Sequence, residues 1–323
     1  MAHNLVTENY LRLNFTPKSG ITPGTDDHEI LNCNEILARY NVTISPSTGN
    51  YCPKQSELTA IASGLSYISS SSISTSSTIV SVDISDNGQY IFLIVVNGVN
   101  NVEIRRYALG TAYNISTISS TYQSLSLNQL VQWNGDTKGC RSLHVTGSSI
   151  YFMYSSSIYN LQLNTANDLS SWYGLAVTDV SNSGTNYVIH DVYYVGSYYV
   201  TSGDGQTYSN QVRSYSSSYP YATSNSLIQS RGSDYTRGCG LEFNSSGSKY
   251  YVMGNYNAAT LIEFPCGANS YLPYGSYIVH TNTWDLSANV AGSPNDFCFS
   301  DSISNMYVLA GNTIYQFNLP SLG

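Results

Sequence analysis

Charge is scarce in this chain. Asp, Glu, Lys and Arg make up 10% of its 323 residues, against roughly 25% in an average soluble domain. Lys and Arg total 12 and never cluster, Arg105-Arg106 being the densest pair, and the formal net charge is −8. A phosphate backbone attracts basic patches, so no nucleic acid partner is expected. Long apolar runs are missing too: nothing approaches the ~18 consecutive apolar residues of a membrane helix, so no membrane span is expected. The opening stretch MAHNLVTENYLRLNF has neither a basic segment nor a continuous apolar one, so a Sec leader is not expected. There is no CxxC pair. The six cysteines, Cys33, Cys52, Cys140, Cys239, Cys266 and Cys298, match no zinc spacing. The last four are expected to be buried small hydrophobes. Cys33 and Cys52 share the N-terminal region and can pair there, although a reducing cytosol disfavours it. The five histidines are too scattered to imply a metal. No G-x-S-x-G elbow and no GxxxxGK[ST] loop is present. No metal and no cofactor is expected.

What the chain has instead is tyrosine, 30 residues of it, with Ser, Thr and Asn supplying the surface polarity that Lys and Glu usually supply. Tyr and Thr favour strands, so the composition suits the β-rich surfaces of extracellular or virion proteins more than a cytosolic enzyme. One motif recurs about every fifty residues: Val82–Leu93 (VDISDNGQYIFL), Leu143–Met153 (LHVTGSSIYFM), Val192–Val200 (VYYVGSYYV), Leu241–Met253 (LEFNSSGSKYYVM) and Phe297–Leu309 (FCFSDSISNMYVL). Each is an apolar alternation, a Gly, Ser or Asn turn and a second Tyr-, Val- or Ile-rich strand, the pattern of a β-hairpin. Hairpins repeated at a long fixed period point to a β-propeller.

A third strand is expected after each hairpin, at Asn101–Leu109, Ser157–Asn164, Gln211–Ser218, Ala259–Phe264 and Thr313–Pro320. Ala112–Ser119 and Asn167–Trp172 are the candidates for outer fourth strands. The last copy leaves no room for one before Gly323, so Leu65–Ser74 is expected to supply it and close the ring. The fold class is therefore mainly β: a propeller of five blades over 64–323, with six as the alternative because the stretch Tyr122–Lys138 around Trp133 is unassigned. Residues 1–63 form a separate, small, α-containing module. Asn4–Phe15 reads as an extended arm, and helices are expected over Asp26–Val42 and Pro53–Ser63. Asp26 and Asp27 mark the first helix's start, and Pro53 and Gly64 bracket the second. Such a module buries little area alone, so it is expected to dock on something larger.

Two constellations invite a functional reading. Along the first strands, Val82 and Ile84, Leu143 and Val145, Leu241 and Phe243, and Phe297 and Phe299 face one way; Asp83, His144, Glu242 and Cys298, between them, face the other, toward a central channel. With Asp191, the carboxylates Asp83 and Glu242 resemble the acid and base or nucleophile of five-bladed glycosidases. The alternative is that they hydrogen-bond between blades or line a channel without chemistry. Asp86-Asn87-Gly88 reads as a hairpin turn and lacks the further acidic ligands of a calcium loop. The second constellation is the tyrosines of two loops, Ser216–Tyr221 and Tyr271–Tyr277. Exposed Tyr offers rigid amphipathic area for protein or glycan contact, and Tyr219, Tyr221, Tyr271, Tyr274 and Tyr277 are the candidate binding residues.

The blade copies, DISDNGQYIFL most clearly, resemble WD40-like and NHL-like propellers of bacterial surface and phage proteins. The pieces NCNEILARYNV and YCPKQSELTAI look like a small module of tail and fibre proteins of Bacteroidetes-infecting, crAss-like phages. The resemblance implies a non-enzymatic virion structural protein of tail, neck or fibre. Residues 1–63 would anchor to other virion proteins and the propeller would face a partner or a host surface glycan or receptor. It implies a homo-oligomer within the particle and a virion location. A glycan-binding adhesin, or a propeller glycoside hydrolase, is the alternative.

Overall fold

Each of the five repeated segments forms a hairpin, and two more strands extend each hairpin into a four-stranded antiparallel sheet. The computed structural model describes residues 65–98, 101–130, 140–154, 157–179, 188–195, 198–204, 211–216, 222–227, 238–244, 246–254, 259–266, 281–300 and 304–319. The expected N-terminal arm, both expected helices, Cys33, Cys52 and Trp133 lie outside these residues.

The first strand, β1 (Ser66–Ser72), belongs to the last sheet. Sheet one runs outward through β2 (Thr78–Ile84), β3 (Tyr90–Val96), β4 (Val102–Leu109) and β5 (Ile118–Ser126). Sheet two is β6 (Cys140–Thr146), β7 (Ser149–Tyr154), β8 (Ser157–Leu163) and β9 (Trp172–Asp179). Sheet three is β10 (Val188–Val195), β11 (Tyr198–Asp204), β12 (Gln211–Ser216) and β13 (Ala222–Leu227). Sheet four is β14 (Gly238–Phe243), β15 (Lys249–Gly254), β16 (Thr260–Pro265) and β17 (Asn282–Asp285). Sheet five is β18 (Pro294–Phe299), β19 (Asn305–Ala310) and β20 (Thr313–Asn318), with β1 outermost, Ser66 opposite Asn318 and Ser72 opposite Thr313.

The innermost strands neighbour one another in a cycle, β2 to β6, β6 to β10, β10 to β14, β14 to β18 and β18 back to β2. The sheets therefore form a propeller-like ring. Among the described residues there is no sixth sheet; the stretch that raised that alternative continues β5 through Ser126 and then makes a 3-10 turn at Leu127–Gln129.

The core lies between sheets. Phe92, Ile94 and Ile104 of sheet one pack with Leu143, Val145 and Phe152 of sheet two. Val82, Ile91 and Leu93, on the opposite face, pack with Cys298, Tyr307 and Leu309 of sheet five. Both faces of β3 are thus covered, which is why YIFLIVV is continuously apolar where a one-sided strand would alternate. Each such side chain contributes about 1.5–3 kcal/mol on burial. Cys239 and Cys298 are buried thiols in this packing.

The expected outer strands need correction. Ala112–Ser119 and Asn167–Trp172 are mostly turn, and the outer strands begin at Ile118 and Trp172. The two segments are copies, LGTAYNISTI (109–118) and LNTANDLSSW (163–172). Tyr113 and Asn167 adopt positive φ, 62° and 64°. Asn114 and Asp168 follow and accept the Ser116 and Ser170 N–H groups, capping 3-10 turns at Ile115–Thr117 and Leu169–Ser171. Asx capping of this kind competes with strand formation. Each turn is gripped from the preceding sheet. Gln316 donates to the Tyr113 carbonyl at 2.7 Å and accepts from Ile115 N–H at 3.0 Å. Arg106, at the equivalent register position in β4, donates to the Asn167 carbonyl. Gln123 adds bonds to Asp168 Oδ1 at 2.7 Å and from Leu169 N–H at 3.0 Å. The Asp86-Asn87-Gly88 segment is a hairpin turn. Gly88 sits at φ 67° with the Tyr113 ring where a Cβ would fall, 2.4 Å away, so no side chain fits there.

Candidate functional site

Every innermost strand breaks register once, between Ile79 and Ser81, Cys140 and Leu143, Ile189 and Asp191, Cys239 and Leu241, and Pro294 and Asp296. A bulge bends a strand and re-aims its side chains. Aligned by pairing register, the strands place two residues each on common levels: Ser81 and Asp83, Ser142 and His144, Asp191 and Tyr193, Gly240 and Glu242, Asp296 and Cys298. Asp83, His144, Glu242 and Cys298 thus share the level that strand alternation assigns them, while Asp191 lies one level away with Asp296. The Gly240 position has no room for a side chain: its φ is 78° and a Cβ would lie 2.3 Å from the Phe297 ring.

The carboxyl groups bridge sheets. Asp83 accepts from Ile84 N–H in its own strand at 2.7 Å and from Val145 N–H of sheet two at 2.5 Å. Asp191 accepts from Val192 N–H at 2.8 Å, from the Ser142 hydroxyl of sheet two and from Leu241 N–H of sheet four. Ser142 accepts in turn from Val192 N–H at 2.8 Å. Asp296 accepts from Phe297 N–H at 2.8 Å, from Val82 N–H of sheet one at 3.0 Å and from the Ser81 hydroxyl. The Phe299 backbone of sheet five favours the charged form of Glu242 in sheet four. Asp83, Asp191 and Asp296 therefore bridge four of the five junctions of the ring, and Glu242 lies at the fifth, between sheets four and five.

All four are buried, none more than 8% exposed. Burial pushes each above the usual carboxylate range, Asp191 to about 7. For Glu242 the nearby Asp83, Asp191 and Asp296 push the same way. For the three aspartates the N–H and O–H donors oppose the shift. His144 approaches Asp83 to 3.7 Å, but burial lowers it to about 4, so a neutral imidazole stands there at neutral pH, its ring tilted against Tyr193 with centroids 4.4 Å apart. Burial raises the Cys239 and Cys298 thiols, which stay protonated and unreactive.

This arrangement can hold strands together but offers no open acid–base pair. A glycosidase needs two carboxyl groups flanking a sugar. Here both oxygens of Asp83, Asp191 and Asp296 are taken by backbone N–H groups and the whole set is sealed. Among the described residues no group of three or more His, Cys, Asp or Glu is arranged to hold a metal. Sequence reading found Asp83, Asp191 and Glu242 and missed Asp296, Ser81 and Ser142. Asp296 was findable, since Asp191 and Asp296 each precede the apolar residue that opens the motif copy, as DV and DF.

The five candidate binding tyrosines, Tyr219, Tyr221, Tyr271, Tyr274 and Tyr277, lie outside the described residues. The described surface does show large apolar side chains on outer strands: Tyr67 and Ile68 on β1, Tyr122 on β5, and Trp172, Tyr173 and Val177 on β9. Tyr122 carries the Arg105 guanidinium 4.6 Å over its ring. No described helix is long and apolar enough to cross a membrane.

No family model matches the chain, and no curated protein matches it. Among solved structures, the crystal structure of RRP9 WD40 repeats is similar at a TM-score of 0.44 and 10% identity, over 79% of this chain and 99% of that one. The C-terminal WD40 domain of Sif2 is similar at 0.37 and 12%, over 75% and 70%. The propeller-like architecture stands on the strand pairing of this chain itself.

Proposed function

We propose that the chain is a non-enzymatic binding platform, a propeller carried on a phage particle at tail, neck or fibre and anchored to neighbouring virion proteins through residues 1–63. The observation that carries the non-enzymatic part is the inner carboxyl set: all four groups are buried, and Asp83, Asp191 and Asp296 are used for inter-sheet hydrogen bonds. Scarce charge, abundant Tyr and the resemblance of the N-terminal pieces to phage tail modules support the particle role. The test is incorporation. A chain lacking residues 1–63 is expected to fold with unchanged strand content by circular dichroism and to be missing from particles. A truncated chain that still incorporates refutes the anchor.

The second reading, a glycan-binding adhesin, is favoured by the exposed rings on outer strands, since aromatic faces suit sugars. Glycan-array binding by the full chain that is lost on Tyr274→Ala supports it; an array with no binding removes it.

A further inference from the structure

The ring is joined by carboxyl groups, yet they are not equally provided with donors. Asp191 and Asp296 each accept two backbone N–H groups and a serine hydroxyl. Asp83 accepts two N–H groups and a hydrogen bond from the Cys298 thiol. Each therefore has donors that favour its charged form against burial. For Glu242 the Phe299 backbone favours the charged form, while Asp83, Asp191 and Asp296 disfavour it. Like charges at such a site cannot all ionise together.

Among the described residues, the remaining groups around Glu242 do not supply a positive charge. From β2 come Asp83 and, in the following turn, Asp86; from β6 comes the neutral His144. β10 brings Asp191, β14 the Cys239 thiol, and β18 Asp296 and the Cys298 thiol. Behind them Tyr251 and Tyr307, opposite Glu242 and Cys298 in register, are phenols that burial keeps protonated. The three cations with described side chains are engaged elsewhere: Arg105 with Glu103, Arg106 with Asn167 and Tyr90, and Lys249 with Glu263.

We propose that Glu242 is a proton-holding member of this set, and that its neutral acid form locks the ring: loss of its proton adds a like charge across the junctions and loosens them. Folding then takes up protons. A group whose folded pKa is raised contributes stability that is full below its unfolded value, about 4, and is lost as pH rises through the folded value. Burial and the three neighbouring aspartates raise Glu242, so the loss falls above the ordinary carboxylate range.

The experiment is thermal unfolding of the full chain between pH 6 and 9, with Glu242→Gln, which mimics the neutral acid. The expected result is a wild-type Tm lower by about 3 °C or more at pH 9 than at pH 6. The variant should lose at least half of that fall and unfold above wild type at pH 9. A wild-type Tm that is flat or rises over the window overturns the proposal, as does a variant that falls as steeply as wild type. If the variant does not fold, infrared spectroscopy of wild type labelled with carbon-13 glutamate decides. A glutamic-acid C=O band at pH 6 that disappears by pH 9 sustains the proposal, and its absence at pH 6 overturns it.

Discussion

Asp296 concentrates three hydrogen bonds on one buried side chain and joins the last sheet to the first. Removing it leaves Val82 N–H, Phe297 N–H and the Ser81 hydroxyl without that partner in a buried site. A buried donor left unsatisfied costs about 1–3 kcal/mol, so Asp296→Ala is expected to lower stability by about 3 kcal/mol or more. Asp285→Ala, which removes one exposed turn hydrogen bond from Ser287 N–H, is expected to lower it by about 1 kcal/mol or less. Urea unfolding of the two variants checks this; equal effects would mean the bridge adds nothing. At this scale the sequence was partly legible. Strand alternation alone put Asp83, His144, Glu242 and Cys298 on one side, because their apolar neighbours had to face the inter-sheet core. It gave no sign that the carboxyl groups serve as bridges. Both a bridge and a catalytic acid require an inward Asp or Glu, and only the partner N–H groups, set by the register bulges, distinguish them.

Among elements, the hairpins were the most legible because Gly and Asn mark their turns: Asp86-Asn87-Gly88 closes β2 and β3, and Gly147-Ser148 closes β6 and β7. The outer strands were not. β5 reads ISSTYQSLS, polar and half-exposed, with no apolar face to announce it. The apolar residues just before it, Tyr113 and Ile115, belong to a capped turn. That turn depends on long-range partners that local pattern does not reveal. Gln316 is 201 residues from Ile115, whose N–H it accepts in the buried interior. Gln316→Ala is therefore expected to cost about 1–2 kcal/mol and to raise hydrogen exchange at Ile115 N–H. Gln316→Glu keeps the acceptor and should retain part of the protection. Unchanged exchange in the alanine variant would show that the turn holds itself.

For the whole molecule, the cyclic adjacency of five innermost strands and the pairing of β1 with β20 make the ring, and the inter-sheet cores fill it. Its five-fold repeat was visible in the sequence because each sheet needs the same apolar hairpin to pack on both neighbours. Its task was less visible, since a propeller is a scaffold and function rests on the surfaces it presents. Immunogold labelling or cryo-EM of purified phage particles tests the platform reading most directly. The predicted result is a five-sheet ring at tail, neck or fibre, with residues 1–63 against a neighbouring subunit. Absence of the chain from every particle would contradict that reading.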